Sequence, residues 1–167
     1  MTDFHAPHAA PEGAAAVFPA PAESEARRRW MGVLGRASGD DLERAWRSLA
    51  DKPAYVAVRA PETGMVMVRG RAGGTGAPFC LGEMTVTRCA VETADGRVGV
   101  SYLAGRDPRR AEIAAALDAL LQDPARRATL LREVIDPLAA GQADARRARR
   151  AKVAATKVDF FTMVRGD

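Results

Sequence analysis

The spacing of apolar residues changes twice along this chain, and that change sets the class of fold open to it. Over residues 24–36, Trp30, Met31, Val33 and Leu34 form a stripe at helical spacing, with Ser24 placed as its cap. Leu42, Ala45, Trp46 and Leu49 form a second stripe over residues 40–50. Pro53 ends that run. The period then drops to two. Residues 55–59 and 65–71 read as strands joined by a Pro61-Glu62-Thr63-Gly64 turn. A long extended run follows over residues 79–93, and Asp95-Gly96 turns it back into residues 97–103. After Asp107 the helical period returns. The expectation is an α+β fold: an antiparallel sheet of about four strands, short N-terminal helices and a helical C-terminal third.

Three Asp-Pro pairs punctuate that last third, at Asp107-Pro108, Asp123-Pro124 and Asp136-Pro137. Each fits an aspartate N-cap followed by proline at the first helical position, where its missing N–H costs nothing. The first helix carries Ile113, Ala116, Leu117, Leu120 and Leu121. The second carries Leu130, Leu131, Val134 and Ile135. The third is expected over residues 137–158 and is mostly Ala, Arg and Lys.

A length of 167 residues suits one core. Residues 1–23, rich in Ala and Pro and holding both His5 and His8, show no hydrophobic period and are expected to be a disordered extension. Residues 24–167 are expected to form a single domain ending in a docking tail. The net charge of +4 is too small to call for nucleic acid or a membrane surface. Neither a bilayer-length apolar run nor a basic, then apolar, leader is visible, so the expected location is the cytoplasm. Cys80 and Cys89 lie on one predicted strand, too far apart to bridge, and are expected to be reduced thiols.

Few groups offer chemistry. Residues 73–76, Gly-Gly-Thr-Gly, can cradle a phosphate with backbone amides, or simply close a hairpin; the lysine and following helix of a nucleotide loop are missing. Arg106, Arg109 and Arg110 crowd a helix start, where cations oppose the dipole unless an anion offsets them. A solvated cluster capped by Asp107 is the alternative. Arg146, Arg147, Arg149, Arg150 and Lys152 mark a solvated or partner-facing helix more than a nucleic-acid reader, since no DNA-binding motif frames them. Asp118 and Glu133 are expected to be solvated. No histidine follows His8, so no Ser-His or Cys-His pair can be built in the folded part; no catalytic residue, metal ligand or cofactor is assigned. The end of the chain, Val158 to Asp167, is apolar where ends are usually polar. Phe160, Phe161, Met163 and Arg165 have the make-up of interface anchors, docking either on their own core or on a partner.

Several ordered motifs carry a family resemblance. They are Arg71-Ala-Gly-Gly-Thr-Gly-Ala-Pro-Phe79, Gly82-Glu-Met-Thr-Val-Thr-Arg88-Cys-Ala-Val91, Asp95-Gly96, Val100-Ser101-Tyr102, Gly105-Arg106-Asp107 and the closing run from Val158 to Asp167. Across residues 26–167 the chain resembles the G-subunit family of the bacterial carbon–phosphorus lyase core complex. That resemblance implies a subunit acting with the H, I and L subunits to displace adenine from ATP by a phosphonate. It also implies assembly with H, I and J, with the I subunit as the direct contact. It carries over no catalytic residue. Arg88, Arg106, Arg109, Gly73 and Gly74 stand as candidate anion or interface contacts. The rival reading is an autonomous nucleotide-binding enzyme using residues 73–76.

Overall fold

The computed structural model describes residues 21–156. Of the extension expected over residues 1–23, residues 21–23 belong instead to a helix, and residues 1–20 lie outside the described residues, as does the tail with Phe160, Phe161, Met163 and Arg165. Helix α1 spans Pro21–Arg36 and α2 spans Gly39–Ser48. α1 therefore starts three residues before Ser24, which sits inside the helix. Ser38 is a true N-cap of α2, accepting from the Asp41 N–H.

Three strands follow, β1 (Tyr55–Arg71), β2 (Pro78–Thr93) and β3 (Val98–Ala104), in the order β1-β2-β3 and antiparallel throughout. The α+β class stands, but the strand count is three. The Pro61-Glu62-Thr63-Gly64 segment does not turn: β1 runs through it, and the pairing slips between Ala57 and Arg59 and again between Arg59 and Glu62. β1 is an edge strand, and a proline without an N–H is tolerated on an edge where the ladder is interrupted. The glycine-rich segment closes the β1–β2 hairpin through a short 3-10 turn, Ala72–Gly74. There Gly73 and Gly74 take φ of 60° and 80°, a region that disfavours side chains.

Helix α3 (Pro108–Leu121) is the centre of the molecule. Ten of its 14 residues are buried, so it is apolar nearly all round rather than on one stripe. One side packs on the sheet; α1, α2 and the later helices surround the rest. Ile113, Leu117 and Leu121 are essentially fully buried and join Trp30, Leu34, Leu42, Val91 and Ile135 in one core. Each such side chain stabilises the fold by about 1.5–3 kcal/mol over leaving it exposed.

Two of the three aspartate caps form. Asp107 accepts from the Arg110 N–H, and Asp123 accepts from the Ala125 N–H. The third does not. Helix α4 (Pro124–Leu130), a π turn (Leu131–Ile135) and α5 (Asp136–Ala155) join without leaving helical backbone. Asp136 lies within this run, and its N–H bonds to the Leu131 carbonyl five residues back. Pro137 would clash with the preceding turn of a regular helix; the wider π turn just before it makes room. Cys80 is exposed and Cys89 buried, both free thiols on β2.

Candidate interface and anion sites

Asp118 is fully buried rather than solvated. It accepts from Arg27 Nη2 at 2.7 Å, from Arg27 Nε at 3.2 Å, from Trp30 Nε1 at 2.9 Å and from the Val100 N–H at 2.9 Å. One carboxylate thus ties α1, α3 and β3 together. A lone aspartate in the otherwise apolar run of residues 113–121 was the available signal: the alanines around it leave no polar face for it to occupy. With its oxygens engaged, Asp118 is a frame element.

Arg109 is exposed but paired within the chain. Its Nε donates to Glu43 Oε2 at 3.3 Å and its Nη1 to Glu112 Oε2 at 3.2 Å. Tyr55 donates to the other Glu112 oxygen at 3.0 Å and meets Trp46 edge-on, with ring centroids 6.1 Å apart. Burial, and then the Glu112 hydrogen bond, push the Tyr55 hydroxyl pKa up. Arg110 donates to the carbonyls of Ala104 and Gly35.

Arg88 lies on the opposite side of the sheet from α3, in register with Tyr102. It shares Glu62 with Arg59, and the Arg88 hydrogen bond, more than Arg59, holds the Glu62 carboxyl below its usual pKa. Arg106 is exposed and makes no hydrogen bond or ion pair with any described residue. Beside it, Thr87 Oγ1 donates to the Gly105 carbonyl at 2.7 Å and accepts from the Asp107 N–H, fixing the corner between β3 and α3.

The fold does not bring these candidates to one place. Arg88 faces out from the bare side of the sheet, whereas Arg109 belongs to the helix covering the other side. Gly73 and Gly74 lie at the far end of the hairpin, nine residues of β1 beyond the Glu62–Arg88 pair, or about 30 Å. There Arg71 donates to the Gly76 carbonyl at 2.9 Å, and Arg69 and Arg71 flank an open recess with Gly74 and Pro78. A second recess, of about 520 Å³, lies between α1 and α4 and holds Arg27, Arg28, Trp30 and Arg127. Two of its guanidinia are engaged: Arg27 on Asp118, and Arg127 on the Leu121 and Gln122 carbonyls, 5.7 Å over the Trp30 ring. Among the described residues no three His, Cys, Asp or Glu side chains group as a metal site, and no helix is long and apolar enough to cross a membrane.

Among the described residues, Asp118, Arg27, Arg109 and Arg110 brace the chain's own frame, and the sheet face turned away from α3 carries no helix. The chain belongs to the family described as phosphonate metabolism protein PhnG, whose model matches residues 25–166. It is 49% identical over 142 residues to the alpha-D-ribose 1-methylphosphonate 5-triphosphate synthase subunit PhnG of Rhizobium meliloti (strain 1021), covering 84% of this chain and 90% of that one. Subunit membership in phosphonate metabolism follows from this match, and partner subunits follow with it.

Proposed function

We propose that this chain is a non-catalytic subunit of a cytoplasmic synthase that transfers ribose triphosphate from ATP to methylphosphonate with release of adenine. It acts with the H, I and L subunits, and joins H, I and J in the core assembly with I as its direct contact. The observation that carries this reading is the 49% identity to a named synthase subunit over most of both chains. The spent ionisable groups around Asp118 and Arg109 support an accessory role. Phe160, Phe161, Met163 and Arg165 are the proposed anchors in the partner. Arg88, Arg106 and Arg109, with Gly73 and Gly74, are the proposed anion or interface contacts, Arg106 first among them because it has no partner among the described residues.

The test is coexpression of the tagged chain with its H, I, J and L partners, followed by adenine release from ATP plus methylphosphonate. Adenine release is expected only when this chain is present, and none from the chain alone. Synthesis at full rate without it sinks the subunit reading; ATP turnover by the isolated chain would establish the rival at residues 73–76. In the same assay Phe160→Ala with Phe161→Ala is expected to lower copurification at least tenfold, each buried aromatic anchor contributing about 2 kcal/mol or more. Unchanged recovery removes the tail as an anchor. Full activity of Arg106→Glu removes the arginine proposal.

A further inference from the structure

Eleven large hydrophobic side chains are exposed among the described residues, and all but Val153 lie in the three strands. Scattered surface apolars need no explanation, but a concentration does. Two parts of the sheet carry it. The first is the face turned away from α3, where Val100 and Tyr102 stand in register with Ala90 and Arg88. The second is the outer half of the β1–β2 hairpin beyond Thr85, which among the described residues has neither a third strand nor a helix over it. It projects about 20 Å. By the register, Met65 and Met67 lie on one side of this arm. Leu81 lies over Gly70 on the other, alongside Phe79, and continues the bare face of the sheet. A two-stranded ribbon on its own is marginal in water, and this one exposes apolar side chains on both sides.

The charges choose the occupant. Arg69 and Arg71 at the tip form no ion pair with any described residue. At the base, Arg59 and Arg88 share the single carboxylate of Glu62. Tip and base are therefore both positive. A second copy laid antiparallel along the arm would set tip on base, and one laid parallel would set tip on tip. Both arrangements oppose like charges. The geometry points to a different occupant: another subunit of the synthase, receiving the arm in an apolar groove and presenting carboxylates to Arg69 and Arg71. This assignment rests on the subunit reading above and adds the surface and the chemistry of its partner.

The experiment uses the coexpressed assembly. Met65→Ser with Met67→Ser and, separately, Arg69→Glu with Arg71→Glu change exposed side chains only; circular dichroism and the thermal midpoint of each lone variant verify its fold. Both pairs are expected to weaken association with the other subunits at least tenfold. Amide exchange across residues 65–84 is expected to slow at least tenfold in the wild-type assembly. Wild-type assembly with equal recovery of folded variants and unprotected arm amides overturns the arm as the docking surface while leaving the subunit reading intact. A lone chain that dimerises, and loses the dimer with Met65→Ser and Met67→Ser, overturns the choice of occupant. Failure of the wild type to assemble overturns both readings.

Discussion

Replacing Asp118 by Ala is expected to destabilise the fold by about 3–5 kcal/mol, the range for removing one partner from a buried ion pair. The size of the effect comes more from the donors left behind than from the charge pair. Arg27 is one-third exposed, so water screens part of its attraction to Asp118 and can solvate it afterwards. Trp30 Nε1 and the Val100 N–H have no such recourse, because the Trp30 ring is 3% exposed and the Val100 amide points at the carboxylate. Each buried donor left without an acceptor costs about 1–3 kcal/mol. Asp118→Asn keeps one acceptor oxygen but turns an NH₂ group toward donors, so its loss falls between the wild type and Ala. Urea unfolding followed by Trp fluorescence measures both. An Ala variant within about 1 kcal/mol of the wild type would mean that α1 is held by its apolar contacts alone.

That carboxylate also marks where sequence reading stopped. The helix was legible: Asp107 before Pro108 located its start, and Ile113, Leu117 and Leu121 located its core stripe. Its full burial was not legible. A stripe of Ile113, Ala116, Leu117, Leu120 and Leu121 implies one covered face, and Ala114, Ala115 and Ala119 lie outside it. In the fold those alanines let the sheet and the neighbouring helices approach from several sides, which leaves Asp118 without solvent. The period of two likewise located the sheet but missed the continuity of β1. Pro61 and Gly64 have the chemistry of a turn, yet their neighbours pair with β2 on both sides and the ladder absorbs the proline by slipping its register. At Asp136-Pro137 a local rule met a non-local solution, because the π turn upstream removed the need for a cap.

The candidate site was less legible than the fold, for a physical reason. Arginines were singled out by their crowding at a helix start, but what a guanidinium does depends on which carboxylates the topology brings to it. Glu43 of α2 reaches Arg109 from 66 residues away, and Glu62 reaches Arg88 across the hairpin. Neither pairing has a local signature. The bare sheet face was hidden differently. Alternation announces two faces and implies that one is wet, and only the three-dimensional arrangement shows Val100 and Tyr102 on the side without a helix. Ordered motifs located the family where individual residues could not locate the site.

The same alternation yields a second large effect, at Gly99. This residue lies on the buried face of β3, where α3 crosses it. A Cβ built there would fall 2.0 Å from the Ala115 carbonyl oxygen, 2.5 Å from the Ala119 nitrogen and 2.8 Å from the Ala119 Cβ. The first two are helix backbone and the third an alanine methyl, not the ends of flexible side chains, and no rotamer change can clear them. Gly99→Ala therefore forces strand and helix apart along a close-packed seam that includes Val91 and Leu117. The expected cost is at or above the top of the roughly 1–3 kcal/mol range for overpacked cores. At Gly141 in α5 nothing lies within 4 Å of the same added methyl, and the helix gains from alanine, so Gly141→Ala is expected to stabilise by about 0.5–1 kcal/mol. One methyl group should thus lower the thermal midpoint at residue 99 and raise it at residue 141. A Gly99→Ala variant that melts with the wild type would place β3 farther from α3 than the fold has it, and the packing around Asp118 would have to be redrawn with it.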